Sequence, residues 1–207
     1  MTSSILWYAT RGAGAVSLIL LSSVVALGIL SALRWRATAW PRFLTVGLHR
    51  NLALLSVVFL ALHIVTAVVD PYTSLGWAAA LVPFSSYYRT FWLGLGVVAV
   101  DLFVALLLTS LLRRAIGPRT WRLVHWVAYA CWPVAMAHSL GTGTDTRSWM
   151  LVIYLVCVAM VLTAVAARLI GSRRPQSPPA PITPRPASPA PAWSGVGGTR
   201  SDKASKW

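Results

Sequence analysis

Four histidines are the residues of this chain whose type and spacing could do chemistry. His49 and His63 are 14 residues apart, and His125 and His138 are 13 apart. Each pair lies within one long apolar segment, where imidazole rings would be inside a membrane. Because a polar ring within a bilayer is costly and usually functional, the two pairs predict binding sites rather than incidental packing.

The spacing of the first pair places both rings on one face of a helix. At 3.6 residues per turn, His49 and His63 lie within about 40° of each other and about 20 Å apart along the axis. His125 and His138 have a similar rise but are about 140° out of phase on a straight helix. Pro133 lies between them, and a proline can kink or rewind a helix. Either this irregularity restores the alignment, or the two sites meet different faces of the helix.

The depth of the histidines predicts two sites stacked across the membrane. Both segments begin on the same side, so His49 lies level with His125, and His63 lies level with His138. Zinc or copper would require further Cys, Asp or Glu ligands, and neither site has an obvious one. Haem iron takes its equatorial nitrogens from its own macrocycle and needs only two axial ligands. Two stacked haems with imidazoles on both sides would be suited to electron transfer.

The composition indicates which kind of protein holds these rings. Of the 207 residues, 57% are hydrophobic and 11% are charged, and the mean hydropathy is +0.69. A soluble domain would carry about a quarter charged residues. An ordinary cytosolic enzyme and a disordered protein are therefore excluded. The net charge of +14 would suggest nucleic acid in a soluble chain, but here the basic residues lie between apolar runs. We therefore expect membrane lipid, and no nucleic acid, as the partner.

Five segments are long enough to cross a bilayer, for which about 20 apolar residues suffice. They are residues 13–33, 43–69, 90–112, 121–140 and 148–170. The first is too long for a signal peptide and is interpreted as a retained span. A short interfacial helix is predicted at 74–81. The expected fold is all-α, a polytopic membrane bundle of about five transmembrane helices.

The arginines predict the orientation of this bundle. They cluster after the first, third and fifth spans, and few lie on the opposite side. The clustered arginines are Arg34, Arg36, Arg42, Arg113, Arg114, Arg119, Arg122, Arg168, Arg173 and Arg174. The chain is therefore expected to be a multi-pass protein of the plasma membrane. By the positive-inside rule, its N-terminus lies on the outer side of the membrane and its C-terminus on the cytoplasmic side. Residues 171–207 hold eight of the 13 prolines, so we expect a membrane domain at 1–170 and a disordered Pro-rich tail at 171–207.

The sequence around the histidines resembles a known family. The two stretches are RFLTVGLHRNLALLSVVFLALHIVT and WRLVHWVAYACWPVAMAHSLGTGTDTRS. Together with the double spacing they resemble ferric reductase-like transmembrane domains, over about residues 8–170. That family includes the membrane cores of NADPH oxidases and the haem-bearing membrane subunit of the methionine sulfoxide reductase system. The resemblance implies two b-type haems as metal-binding cofactors, bound by His49 with His125 (inner) and by His63 with His138 (outer).

The resemblance also implies a function. The chain is expected to be a di-haem b-type cytochrome, an oxidoreductase component that transfers electrons from a cytoplasmic or quinol donor to an outer acceptor. NADPH oxidases carry a flavin and nicotinamide domain after the last span, where this chain has only its Pro-rich tail. A separate flavin reductase, a bound flavin or quinol is therefore expected as the electron source. Ferric iron, oxygen and a periplasmic redox protein are candidate acceptors.

Cationic side chains near the histidines are candidate partners for haem propionates. Arg50, directly after His49, is the best candidate on the inner side. The other arginines are at least as well explained as side chains that extend to the membrane interface and set the orientation of the protein. The others are Arg42 and Arg122 on the inner side and Arg11, Arg89 and Arg147 on the outer side.

Asp101 is the only acid within a predicted span, where it could be a proton site, a partner of an arginine or, in the simplest reading, an interhelical hydrogen-bonding group. Glycines are predicted to allow close approach of helices or of a flat macrocycle. These are Gly12, Gly14, Gly47, Gly94 and Gly96. Cys131 and Cys157 are interpreted as packing residues.

Two other functions compete with electron transfer. A transporter or proton-coupled carrier could use the histidines as a relay, although such proteins usually place further carboxylates along the path. A non-catalytic membrane subunit could recruit a redox partner through the Pro-rich tail.

Overall fold

The computed structural model describes residues 2–32, 42–71, 75–143 and 148–172. Within these ranges every regular element is a helix, which confirms the predicted all-α fold. The helices are α1 (Thr2–Ala32), α2 (Arg42–Val69), α3 (Trp77–Leu81), α4 (Thr90–Leu111), α5 (Arg113–Ile116), α6 (Pro118–His125), α7 (Ala128–Thr142) and α8 (Ser148–Ser172). The predicted disordered tail lies outside the described residues, apart from the end of α8.

Four helices are long and apolar enough to cross a membrane, so the chain is a membrane protein. Their apolar stretches are Ile5–Ser31, Phe43–Val69, Thr90–Leu111 and Trp149–Ile170. These stretches confirm four of the five predicted spans as continuous helices. The remaining predicted span, 121–140, consists of α6 and α7 in succession, separated by a turn at Trp126 and Val127. Helix α3 confirms the short helix predicted within 74–81.

Helix α1 is the centre of the bundle. In its most apolar segment of 18 residues 39% are buried, against 11% in the corresponding segment of α2. Leu18 packs against Met136 of α7 and Cys157 of α8. Ala26 packs against Ala164, which lies about two turns further along α8. Small side chains along this helix let its neighbours approach closely, which is how helices associate where lipid replaces water.

Two buried contacts of polar atoms join the helices. Ser22 is completely buried, donates to the Leu18 carbonyl at 2.7 Å and accepts a hydrogen bond from Trp132 Nε1 at 2.8 Å. Cys131 Sγ lies 3.5 Å from the Ala99 carbonyl oxygen. Cys131 and Cys157 are both free and buried, which confirms that they are packing residues.

The turn between α6 and α7 resolves the phase of His125 and His138. Trp126 and Val127 have φ/ψ of −62°/−24° and −61°/−20°, values typical of a 3₁₀-helix. The amides of Val127, Tyr129 and Ala130 donate to carbonyls three residues earlier, at 2.9, 3.1 and 2.9 Å. A 3₁₀-helix advances about 20° more per residue than an α-helix, so the tightened turn reduces the mismatch. The irregularity precedes Pro133, which lies within α7, and with it both rings of this segment meet a partner ring on α2.

The connection before α4 is held against the bundle by two residues with left-handed backbone. Phe84 has φ of 62° and Arg89 has φ of 43°. The Phe84 ring occupies the place that a Cβ on Gly94 would take, so Gly94 does allow a close approach, but to this ring. The Arg89 guanidinium donates to the Gly141 carbonyl at the end of α7. The connection is thus tied to both α4 and α7.

Replacing Ser22 with Ala is expected to destabilise the bundle by about 1 kcal/mol, because Trp132 Nε1 would lose its acceptor within the protein. Unfolding in mixed micelles, followed by tryptophan fluorescence, measures the change. Ser23→Ala is the matched control, since Ser23 donates to Ile19 one turn back in the same way and binds no tryptophan. Equal losses in the two variants would contradict the assignment.

Candidate functional site

The structure brings the four histidines together as two pairs. The ring centres of His49 and His125 are 6.4 Å apart, and those of His63 and His138 are also 6.4 Å apart. We call these the inner pair and the outer pair, following the predicted orientation. Both pairs join α2 to the α6–α7 segment, and about 20 Å of helix separates the two levels.

The spacing within each pair suits one metal ion between two rings. A bond from an imidazole nitrogen to a metal is about 2.0–2.1 Å long, so two rings on opposite sides of one ion have centres about 6 Å apart. An edge-to-face aromatic contact could have the same spacing. Ring planes at 64° and 82°, with the same separation at two levels of the same helices, favour a common role for the pairs.

Three of the four rings are fixed by hydrogen bonds to the backbone of a neighbouring helix. The Nδ1 atoms of His49, His63 and His138 lie 2.9, 2.8 and 2.8 Å from carbonyl oxygens. The acceptors are Val24, Thr10 and Trp92, respectively. Since a carbonyl only accepts, each Nδ1 carries the proton. The lone pair of Nε2 is then available to a metal, as is usual for histidine ligands.

A glycine lies four residues after each of these acceptors. A Cβ added to Gly96 would lie 2.5 Å from the His138 ring, one on Gly14 2.9 Å from His63, and one on Gly28 3.4 Å from His49. The missing side chain lets the ring reach the carbonyl one turn back. We call each such glycine with its carbonyl a glycine seat.

The glycine seats test the glycine predictions. Close approach is confirmed for Gly14 and Gly96, whose neighbours are histidine rings. At Gly12 and Gly47 a Cβ would meet nothing within 4 Å among the described residues, so no described helix approaches closely there, and the approach of a macrocycle stays a prediction. Sequence analysis missed Gly28, although it follows Gly14 by the same 14 residues that separate His49 from His63.

His125 is held differently from the other three histidines. Its Nδ1 is buried and has no hydrogen-bond partner in the described part of the chain. Its ring stacks on Trp121, with centres 4.9 Å apart and planes 27° apart. Trp121 Nε1 donates to Ser110 Oγ of α4 at 3.4 Å. Packing, rather than a hydrogen bond, therefore positions this ring.

The outer pair borders a cavity of about 790 Å³ between the helices. This volume is in the range of sites for cofactors and small molecules. Arg11, an expected outer cation, is among the lining residues, and its guanidinium lies 4.7 Å from the centre of the Trp7 ring. Three further lining residues carry polar groups that no spacing connects to the histidines, two of them in connections between helices and one on α8. They are Asp70, Tyr88 and Tyr154.

The expected propionate partners on the inner side are Arg50, Arg122 and Arg42. Arg50 follows His49 on α2 and its side chain is exposed. Arg122 is exposed and donates to the Pro118 carbonyl of its own helix at 3.2 Å. The side chain of Arg42 lies outside the described residues. The inner propionate partners therefore stay a prediction.

Two further expectations concern the outer end and α4. Arg89 binds the Gly141 carbonyl and lies 5.9 Å from the centre of the Tyr88 ring, and Arg147 lies outside the described residues. Asp101 is exposed on α4, so the expected interhelical hydrogen bond stays a prediction.

The comparison with known proteins agrees with this geometry. Residues 13–136, more than half of the chain, match the family model described as ferric reductase like transmembrane component. The match includes His49, His63 and His125. No curated protein and no solved structure was found to match the chain. From the extent of the family match, the chain belongs to the family of ferric reductase-like transmembrane components.

Proposed function

We propose that this chain is a di-haem b-type cytochrome that carries electrons across the membrane. In this proposal His49 and His125 would hold an inner haem, and His63 and His138 would hold an outer haem. The observation that carries the proposal is the equal 6.4 Å separation of the rings at two levels of the bundle. Each bound haem would supply an iron that alternates between ferric and ferrous by one electron.

The donor set fits haem better than a metal ion bound by protein ligands alone. The described residues contain no group of three or more His, Cys, Asp and Glu side chains that could hold a metal. Structural zinc takes four protein ligands and catalytic zinc about three, whereas haem brings its equatorial nitrogens. At the outer level the cavity adds space between the helices and Arg11 as a propionate partner.

The protein would determine which chemistry occurs at each haem. With two histidines to hold each haem, the pairs would favour electron transfer over binding of oxygen at the iron. The glycine seats orient three rings and strengthen their nitrogens as ligands, because an Nδ1–H bonded to a carbonyl makes Nε2 more basic. The donor is proposed to be a separate flavin reductase or quinol on the cytoplasmic side, and the acceptor lies outside.

The transporter alternative gains little support from the acidic residues. Of the acids in the described residues, Asp70 lines the outer cavity and Asp101 is exposed on α4. These two carboxylates do not form a path between the histidine pairs. The recruitment alternative depends on residues of the tail and stays a prediction.

A reduced-minus-oxidised spectrum of the purified chain is expected to show two b-type haems per chain. His63→Ala and His138→Ala should each remove the outer haem and keep the inner one, because the two levels share no ligand. His49→Ala is the reciprocal control and should remove the inner haem. Two haems retained in the outer variants would contradict the ligand assignment. A chain without haem, despite adequate haem supply, would contradict the proposal and favour the transporter.

Alanine at the glycine seats is expected to weaken haem binding in the order of the Cβ-to-ring distances. Gly96→Ala should lose most, Gly14→Ala less, and Gly28→Ala least, since their distances are 2.5, 2.9 and 3.4 Å. Loss of the hydrogen-bond partner behind a histidine ligand typically costs about 10- to 100-fold in affinity. Titration of the purified variants with haem, beside their thermal unfolding, measures this. Gly12→Ala is the matched control on α1, and an equal loss there would show that the seats have no special role.

A further inference from the structure

A small pocket of about 50 Å³ lies between the two histidine levels, and α1, α2, α4 and α7 all contribute to it. Each helix supplies two lining residues, three and seven positions inward from its residue at the outer level. The outer-level residues are Gly14, His63, Gly96 and His138. The residues three positions inward are Ser17, Leu60, Ala99 and Ala135, and those seven positions inward are Leu21, Ser56, Phe103 and Cys131.

These offsets determine the depth of the pocket. At 1.5 Å per residue, it extends from about 4.5 to about 10.5 Å inward from the outer level, and the inner level is about 20 Å away. Ser17 and Ala135 also line the outer cavity, so the pocket adjoins that cavity. The pocket therefore lies between the two proposed haem sites, nearer to the outer one.

The hydroxyl of Ser17 indicates that the pocket holds a polar molecule. Ser17 Oγ is buried and has no hydrogen-bond partner in the described part of the chain. Ser22 and Ser23 on the same helix instead donate to carbonyls four residues back, at 2.7 and 2.8 Å. Because a buried hydroxyl without a hydrogen bond is costly, a partner for Ser17 is expected in the pocket that it lines.

Two further polar side chains line the pocket from other helices. Ser56 is 3% exposed, and its hydroxyl donates to the Leu52 carbonyl at 2.8 Å, which leaves its oxygen able to accept. Cys131, which is 1% exposed, adds a weak acceptor. A molecule here can thus accept from Ser17 and donate to Ser56. Water does both, and at about 30 Å³ per molecule the pocket has room for one or two.

We propose that Ser17 and Ser56 hold an ordered water between the two histidine levels, and that this water lowers the reduction potential of the outer haem. The second part rests on the di-haem function proposed above. A haem carries a net positive charge at its ferric iron and none at its ferrous iron. Since the interior of the bundle has a low dielectric, a water dipole beside the haem stabilises the ferric state more than methyl groups would. The polarity around a haem is one determinant of its potential.

A double-mutant cycle tests whether the two hydroxyls hold the same water. Ser17→Ala, Ser56→Ala and the double variant are unfolded in mixed micelles, and the free energies of unfolding are compared. Either single change should release the shared water, so the loss in the double variant should be close to the larger single loss. Ser23→Ala combined with Ser56→Ala is the matched control. Its losses should add, because Ser23 donates to Ile19 and to Met160 of α8 and does not line the pocket.

A redox titration of the haem-loaded chain tests the effect on the outer haem. Ser17→Val removes the hydroxyl and fills part of the pocket with methyl groups, so the midpoint potential of the outer haem should rise. The inner haem, which lies further from the pocket, should shift less. His49→Ala, which keeps only the outer haem, assigns the two potentials. Ser23→Val is the matched control and should leave both potentials at the values of the wild type.

A crystal structure of the full chain shows the occupant directly. Density for one or two waters is expected within hydrogen-bond distance, about 3 Å, of Ser17 Oγ and Ser56 Oγ. Crystals pressurised with xenon provide the contrasting probe, since an apolar cavity of this kind stays dry and takes up xenon.

Several results would overturn the inference. Additive losses of Ser17→Ala and Ser56→Ala would show that the two hydroxyls act separately, and xenon without water in the pocket would show that it is dry. An unchanged or lowered outer potential in Ser17→Val would remove the effect of the water on the haem. A chain that takes up no haem would instead overturn the di-haem proposal, while the double-mutant cycle and the crystal structure would still decide whether the water is present.

Discussion

A hydrogen bond from a histidine ring to the backbone of the neighbouring helix is the interaction on which the site depends. An imidazole inside an apolar bundle needs a partner for one nitrogen, and side chains that could provide it are scarce among these helices. The backbone carbonyl is a partner that every helix offers at every turn, but a side chain normally covers it. Glycine one turn later removes that cover. The glycine therefore provides the buried imidazole with a hydrogen-bond acceptor and also lets the two helices pack closely.

This arrangement explains why α1 and α4 are as important to the site as the helices that bear the histidines. Helix α1 seats both rings of α2, at Gly14 and Gly28, while α4 seats His138. Each histidine-bearing segment is thus aligned by a partner helix that carries no histidine itself. Since α1 also packs against α7 and α8, it connects the orientation of the rings to the packing of the whole bundle.

The sequence predicted the spans and the pairing well, because both depend on quantities that a sequence carries directly. Apolar length gives the crossing helices, and the spacing of His49 and His63 gives their common face. The phase of His125 and His138 could not be derived, since the tightened turn at Trp126 and Val127 has no glycine or proline of its own, and Pro133 lies further along. Gly28 could have been found by comparing spacings on α1 and α2. Tyr154 and Asp70 reach the cavity only through tertiary packing, so no local pattern indicates them.

The break between α6 and α7 means that one continuous helix carries His49 and His63, whereas two short helices carry His125 and His138. Helix α2 is one rod, so the vertical separation of His49 and His63 is set once for both levels. On the opposite side, His125 and His138 belong to separate short helices joined by a tight turn. Helix α2 therefore fixes the distance between the two levels. The turn between α6 and α7 sets the direction from which His125 and His138 approach their partners. Insertion or deletion of one residue between α6 and α7 would rotate His138 relative to His125. The separation of His49 and His63 along α2 would stay the same.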